Sequence, residues 1–81
     1  MKLDFENKMS IKIFNAELDI AESILGYVPI VLCNPETTLL LSSHTGDVKL
    51  NKTKDHLDYY TYRGYKLLVD NTLPFGSYDI R

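Results

Sequence analysis

The chain carries one cysteine, no tryptophan and three prolines. It has no apolar run near the ~20 residues that cross a bilayer, so no membrane partner is expected. Cys33 alone cannot form an intrachain disulfide, and a lone thiol is at ease in a reducing compartment, so a cytoplasmic setting is expected. Asp4 and Glu6 agree, standing where a secretory signal would carry an uninterrupted apolar region. The four glycines stand apart at 26, 46, 64 and 76, which leaves no phosphate-cradling loop and no cofactor to expect. An excess of one charge is missing too. Nine basic against eleven acidic residues give a net charge of −2, too balanced for electrostatic capture of nucleic acid or membrane. What remains open is neutral, protein-facing recognition.

What is there belongs to an ordinary globular chain: 44% apolar and 25% charged residues argue against disorder and against a fibrous class. The 81 residues leave room for one domain, 1–81. A chain of that size buries only roughly 60–65% of the surface its unfolded form exposes, so there is little spare core in which to carve a deep pocket.

Four of the six tyrosines fall in Tyr59-Tyr60-Thr61-Tyr62-Arg63-Gly64-Tyr65-Lys66-Leu67-Leu68-Val69-Asp70. The residues flanking Arg63-Gly64 are β-branched and aromatic, the types that fit a pleated, half-buried surface. The stretch predicts a hairpin with Arg63-Gly64 as its two-residue turn. Tyr62 then faces Tyr65, Tyr60 faces Leu67 and Asp58 faces Val69 on one side. Thr61 with Lys66 and Tyr59 with Leu68 share the other.

Taken in order, Leu3, Phe5, Met9, Ile11 and Ile13 alternate with polar residues, with Asn7 as the one break. Strict alternation is the pattern of β-structure with one wet face and predicts two strands turning near Asn7. Asn15 reads as a helix N-cap with Glu17 and Asp19 in the first turn and Gly26 as the stop, a helix from about Asn15 to Leu25. Pro29–Cys33 is of strand type, closed by Asn34-Pro35. Thr37–Ser42 reads as a buried strand, His44–Asp47 as a turn and Val48–Leu50 as the returning strand. Asn51–Asp58 is polar and reads as an exposed loop or a single helical turn, and Ser77–Ile80 as a short closing strand. The expected core is Leu3, Phe5, Ile11, Ile13, Leu18, Ala21, Ile24, Leu25, Ile30, Leu32, Leu39, Leu41, Tyr60, Leu67 and Val69.

Candidates for chemistry are few. His44 precedes Asp47 by three residues and His56 stands between Asp55 and Asp58, but neither spacing is a known metal-ligand pattern, so no metal is expected. Ser42, Ser43, His44 and Cys33 offer nucleophile and base types without a cleft to hold them, so no enzyme is expected. Arg63-Gly64-Tyr65 resembles the opening of the RNA-recognition-motif octamer, and that resemblance implies base stacking on a sheet. It departs at Lys66 and Leu67, and the residues after Tyr65 are too few for the second helix and last strand of that fold. Glu22-Ser23-Ile24 resembles the short signature of phage uracil-DNA glycosylase inhibitors, but the triplet falls in a predicted helix and the chain lacks their acidic balance.

The expected fold class is therefore α+β, a small antiparallel sheet of about five or six strands with one helix packed on one face. The expected function is a small non-enzymatic protein-interaction module, of the kind a phage or mobile element encodes to inhibit a host protein. It would bind through Tyr59, Tyr60, Tyr62, Arg63 and Tyr65, since tyrosine and arginine combine large stiff area with a polar tip. The partner is another protein, host or self, with a homodimer among the options. The alternatives are a structural homo-oligomer and a binder of single-stranded nucleic acid that stacks bases on tyrosine.

Overall fold

A long N-terminal helix forms because Lys8–Leu25 contains neither glycine nor proline and is capped at both ends. A computed structural model describes residues 2–55 and 58–81. In it α1 spans Lys8–Leu25, with Asn7 as N-cap: the Met9 N–H donates to Asn7 Oδ1 at 3.0 Å. At the other end the Gly26 N–H donates to the Glu22 carbonyl, as the sequence predicts for a stop at that glycine. The start is a correction. Instead of two strands over Leu3–Ile13, the chain is helical from Lys8, and the cap is Asn7 rather than Asn15. The alternation misled because Met9 and Ile13 lie on one side of the helix and Ile11 and Phe14 on the other. A helix apolar on two faces imitates a period of two over a short window.

Strand β1 (Ile30–Cys33) follows where expected, and Asn34-Pro35 does end it. These two residues also begin a second helix, α2 (Pro35–Thr45), in place of the expected strand over Thr37–Ser42. Asn34 caps it through the Glu36 N–H (2.8 Å) and Pro35 occupies the first turn, where a missing N–H costs nothing. Gly46 closes it. Three antiparallel strands come next, β2 (Val48–Asn51), β3 (Tyr59–Tyr62) and β4 (Tyr65–Val69), and then β5 (Tyr78–Ile80). The hairpin has the predicted register, with Tyr62 opposite Tyr65, Thr61 opposite Lys66 and Tyr60 opposite Leu67. Arg63 and Gly64 both have positive φ (50° and 87°), the signature of the turn that matches strand twist. Residues 52–55 and 58 lie outside the strands, and His56, named above with Asp55 and Asp58, lies outside the described residues.

Among the described residues, five strands form one sheet in the order β2-β3-β4-β1-β5. The sheet is mixed rather than antiparallel, because β1 runs parallel to β4, with Val31 opposite Leu67 and Cys33 opposite Val69. The parallel step arises because α2 carries the chain from β1 across to the far edge, and β2, β3 and β4 then meander back. The α+β class stands, with two helices where one was expected.

Both helices lie on one face. Alternation along the strands puts Tyr62, Tyr65, Leu67, Val31, Cys33 and Tyr78 on that face, and these residues are buried with Phe14 and Leu18 of α1 and Leu41 of α2. Lys49, Tyr59, Thr61, Lys66 and Leu68 share the opposite face, which neither helix covers. Six residues of the expected core are exposed: Ile13, Ile24, Leu25, Leu39, Tyr60 and Val69. Leu3, Leu18, Leu41 and Leu67 are buried as expected, and Phe14, Val31, Cys33, Tyr62, Tyr65 and Tyr78 join them.

A backbone contact ties the N-terminal segment to the last strand. The Leu3 N–H donates to the Gly76 carbonyl (2.6 Å), and Gly76 has φ 82° with its Cα side pressed on the Leu3 carbonyl. A Cβ there would stand 3.0 Å from that oxygen, so only glycine meets both the dihedral and the approach.

Candidate functional site

The hairpin divides the five expected site residues between four environments. Tyr62 has no exposed surface and Tyr65 very little. Their rings lie under α1: Phe14 stacks on Tyr62 at 5.5 Å between centroids and meets Tyr78 edge-on at 4.6 Å. The hydroxyls reach past the core to polar groups of the helix. Tyr62 Oη donates to Asn15 Oδ1 at 2.5 Å, and Tyr65 Oη to Glu22 Oε2 at 2.8 Å and Asp19 Oδ1 at 3.0 Å. Tyr78 donates in the same way to Glu17. Burial, and then the neighbouring carboxylates that accept their protons, push the Tyr65 and Tyr78 phenols well above the usual tyrosine range. Tyr62 rises as well, chiefly through burial. Tyr62 and Tyr65 are thus core residues that fix α1 to the sheet, and the expectation that they serve as interface anchors is corrected on that ground.

The other three lie outside the core. Arg63 is exposed at the tip of the turn. Tyr59 lies on the open sheet face, where the Lys66 ammonium sits 5.0 Å from the centre of its ring. Tyr60 turns to the helix side but beyond the reach of α1, and it remains partly exposed.

Tyr60 lines a groove of about 430 Å³ between α2 and the β2–β4 strands, together with Leu39, Val48, Leu50 and Val69. Leu39 is 70% exposed, and Leu50 and Val69 about half. The groove exists because α2 turns small polar side chains to the sheet. Thr37 and Thr38 are buried, and Ser42 lines the groove floor. Their hydroxyls are satisfied locally or beside the helix: Thr38 Oγ1 stands 3.0 Å from Cys33 Sγ, and Thr37 Oγ1 accepts from the Gly76 N–H at 2.9 Å. Such side chains cannot fill the gap that leucines would fill. Sequence reasoning missed Leu39, Leu50 and Val69 as surface residues. The signal it passed over was the Asn34-Pro35-Glu36 start paired with Gly46, which makes Thr38–Leu41 helical and so divides its leucines between faces.

Cys33 is buried in the core, its thiol pushed up by burial and only partly offset by Thr38, so it is held protonated. His44 packs against Phe5 with ring centres 5.3 Å apart. Among the described residues no three histidine, cysteine or acidic side chains are grouped to hold a metal ion, and no helix is long and apolar enough to cross a membrane. Comparison with known proteins found no matching family model, no matching curated protein and no matching solved structure.

Proposed function

We propose that this chain is a non-enzymatic protein-interaction module whose recognition surface is the groove between α2 and strands β2–β4. The observation that supports it is the cluster of Leu39, Leu50, Tyr60 and Val69, four large apolar side chains held partly in water around one concavity. A small chain gains nothing in folding from leaving that area wet, and patches of this kind are where partners dock. The occupant is an apolar segment of another protein. Among the described residues β2 is an edge strand of the sheet, and its Val48 and Leu50 line the groove. An extended segment pairing with β2 places alternate side chains toward Leu50 and Leu39, the mode in which backbone bonds supply affinity and pockets supply specificity.

The test is affinity capture with the full chain and two variants, Leu39→Asp and Leu50→Asp. Both positions are exposed, so folding by circular dichroism should be unchanged. One specific protein retained by the wild type and released by both variants supports the groove. A protein retained equally by all three chains places recognition elsewhere. A second reading has one observation behind it: Tyr59, Lys49 and Lys66 share the open sheet face, a combination that can stack and neutralise single-stranded nucleic acid. Binding of that kind weakens steeply with added salt, so titration of a labelled oligonucleotide at two ionic strengths separates the readings.

A further inference from the structure

The solvent side of α1 is also apolar, and it is separate from the groove. Met9, Ile13, Ile20 and Ile24 are each more than half exposed, with exposed Ala16 between them. At about 100° per residue these five fall within an arc of roughly 80°, on the side of the helix away from Phe14 and Leu18. Their spacing is that of a helix-pairing seam. We propose that the chain forms an antiparallel homodimer through this face of α1.

The order of charges along the helix selects a second copy as the occupant. Lys8, Lys12 and Asp19 lie on one flank of the stripe within roughly 40° of one another, the lysines in the N-terminal half and the acid in the C-terminal half. Among the described residues neither lysine makes an ion pair within its own chain. A two-fold axis passing between Ala16 and Glu17 sets Met9 against the partner's Ile24 and Ile13 against the partner's Ile20. Two-fold symmetry of an antiparallel pair brings like flanks together, so Lys12 meets the partner's Asp19 with an axial offset of about 3 Å, while on the other flank the two Glu17 residues lie near the axis, each carboxylate turned to the Tyr78 hydroxyl of its own chain. Asp19 has a second carboxylate oxygen available, because the Tyr65 hydroxyl donates to its Oδ1. A parallel pair would turn Lys12 toward the partner's Glu17, five residues along the helix and so at the larger axial offset of about 8 Å. The stripe is about 22 Å long, shorter than an interface of ~800 Å² per partner requires, so the dimer is expected at Kd values on the order of 1–100 μM.

Sedimentation equilibrium of the full chain from about 5 to 500 μM reads this range directly. The expected result is a monomer–dimer equilibrium that Ile20→Asp shifts at least about 30-fold toward monomer, because each change removes the side chain from both halves of the interface. If Ile20→Asp unfolds, Ile24→Asp serves in its place. Lys12→Asp and Asp19→Lys are each expected to weaken the dimer about three- to tenfold, and the double exchange to restore it. Oxidation of Ala16→Cys gives a disulfide-linked dimer and oxidation of Met9→Cys does not, since only position 16 lies at the axis. Leu39→Asp leaves the dimer intact, which keeps this result distinct from the groove's. A wild type that stays monomeric throughout overturns the proposal, as does a dimer that ignores Ile20→Asp and Ile24→Asp, one linked through Met9→Cys, or one lost with Leu39→Asp.

Discussion

Tyr62 and Tyr60 stand two residues apart on the same strand and point to the same side of the same sheet, yet one is sealed in the core and the other edges a groove. The difference lies above them rather than in them. Over Tyr62 runs α1, an eighteen-residue helix that brings Phe14 against the ring and Asn15 to the hydroxyl. Over Tyr60 runs α2, shorter at eleven residues, whose threonines and serine leave a gap. A tyrosine is equally suited to either place, since its ring seeks burial and its hydroxyl needs a partner or water. Which role it takes is decided by the volume of the element packed against it.

That contrast can be broken most directly by Tyr62→Ala. Loss of a fully buried ring is expected to cost about 3–5 kcal/mol in urea unfolding, enough to leave so small a chain barely folded. A cost near that of a surface change would mean that α1 does not seal the strand.

Tyr65→Phe is next, with an expected loss of about 1–2 kcal/mol from the hydrogen bonds to Glu22 and Asp19. It also carries a pH signature. The folded phenol holds its proton more tightly than the unfolded one, because burial and then Glu22 and Asp19 raise its pKa. The stabilisation is therefore complete below the unfolded pKa of about 10 and is lost as pH rises beyond it. Thermal melts from pH 8 upward should fall less steeply above about pH 10 in the Phe variant. Parallel pH curves would show that the hydroxyl is not held as described.

Arg63→Asn sharpens the comparison from the turn. A side chain with φ 50° is strained, and asparagine tolerates that region better, so a gain of about 0.5–1 kcal/mol is expected by chemical denaturation. The smallest effect is reserved for Tyr60→Ala, within about 0.5 kcal/mol, since the ring is already partly wet. If Tyr60→Ala and Tyr62→Ala cost the same, α1 and α2 do not give the two ends of this strand different environments on its helix side.

Much of the hairpin and of the strand order in sequence was legible. The turn pair Arg63-Gly64 sets the register of β3 against β4 by itself, β1 announces itself as a short apolar run, and β2 and β5 as short alternations of apolar and polar residues beside turn residues. The two errors have one cause. Leu3–Ile13 and Thr38–Leu41 are short windows in which apolar residues occur at both helical and strand spacing, and the end signals are what distinguish them. Asn7, Asn34-Pro35 and Gly46 are those signals, and each suits a break, a strand terminator or a turn as well as a helix end. The expected site was legible only in part: Arg63 is exposed at the turn and Tyr60 partly exposed beside the groove, while Leu50 and Val69 carried no mark of exposure and that of Leu39 lay in the helix signals around it.

By itself, then, the sequence determined what is local: the helix stop at Gly26, the hairpin register and the short strands, because each rests on bonds between near neighbours along the chain. The tertiary structure alone decided that β1 lies parallel beside β4, that both helices share one face, and which tyrosines are core. Those outcomes depend on how the volumes of α1 and α2 fit over a common sheet, and residues distant in sequence exert that constraint only after the chain has closed on itself.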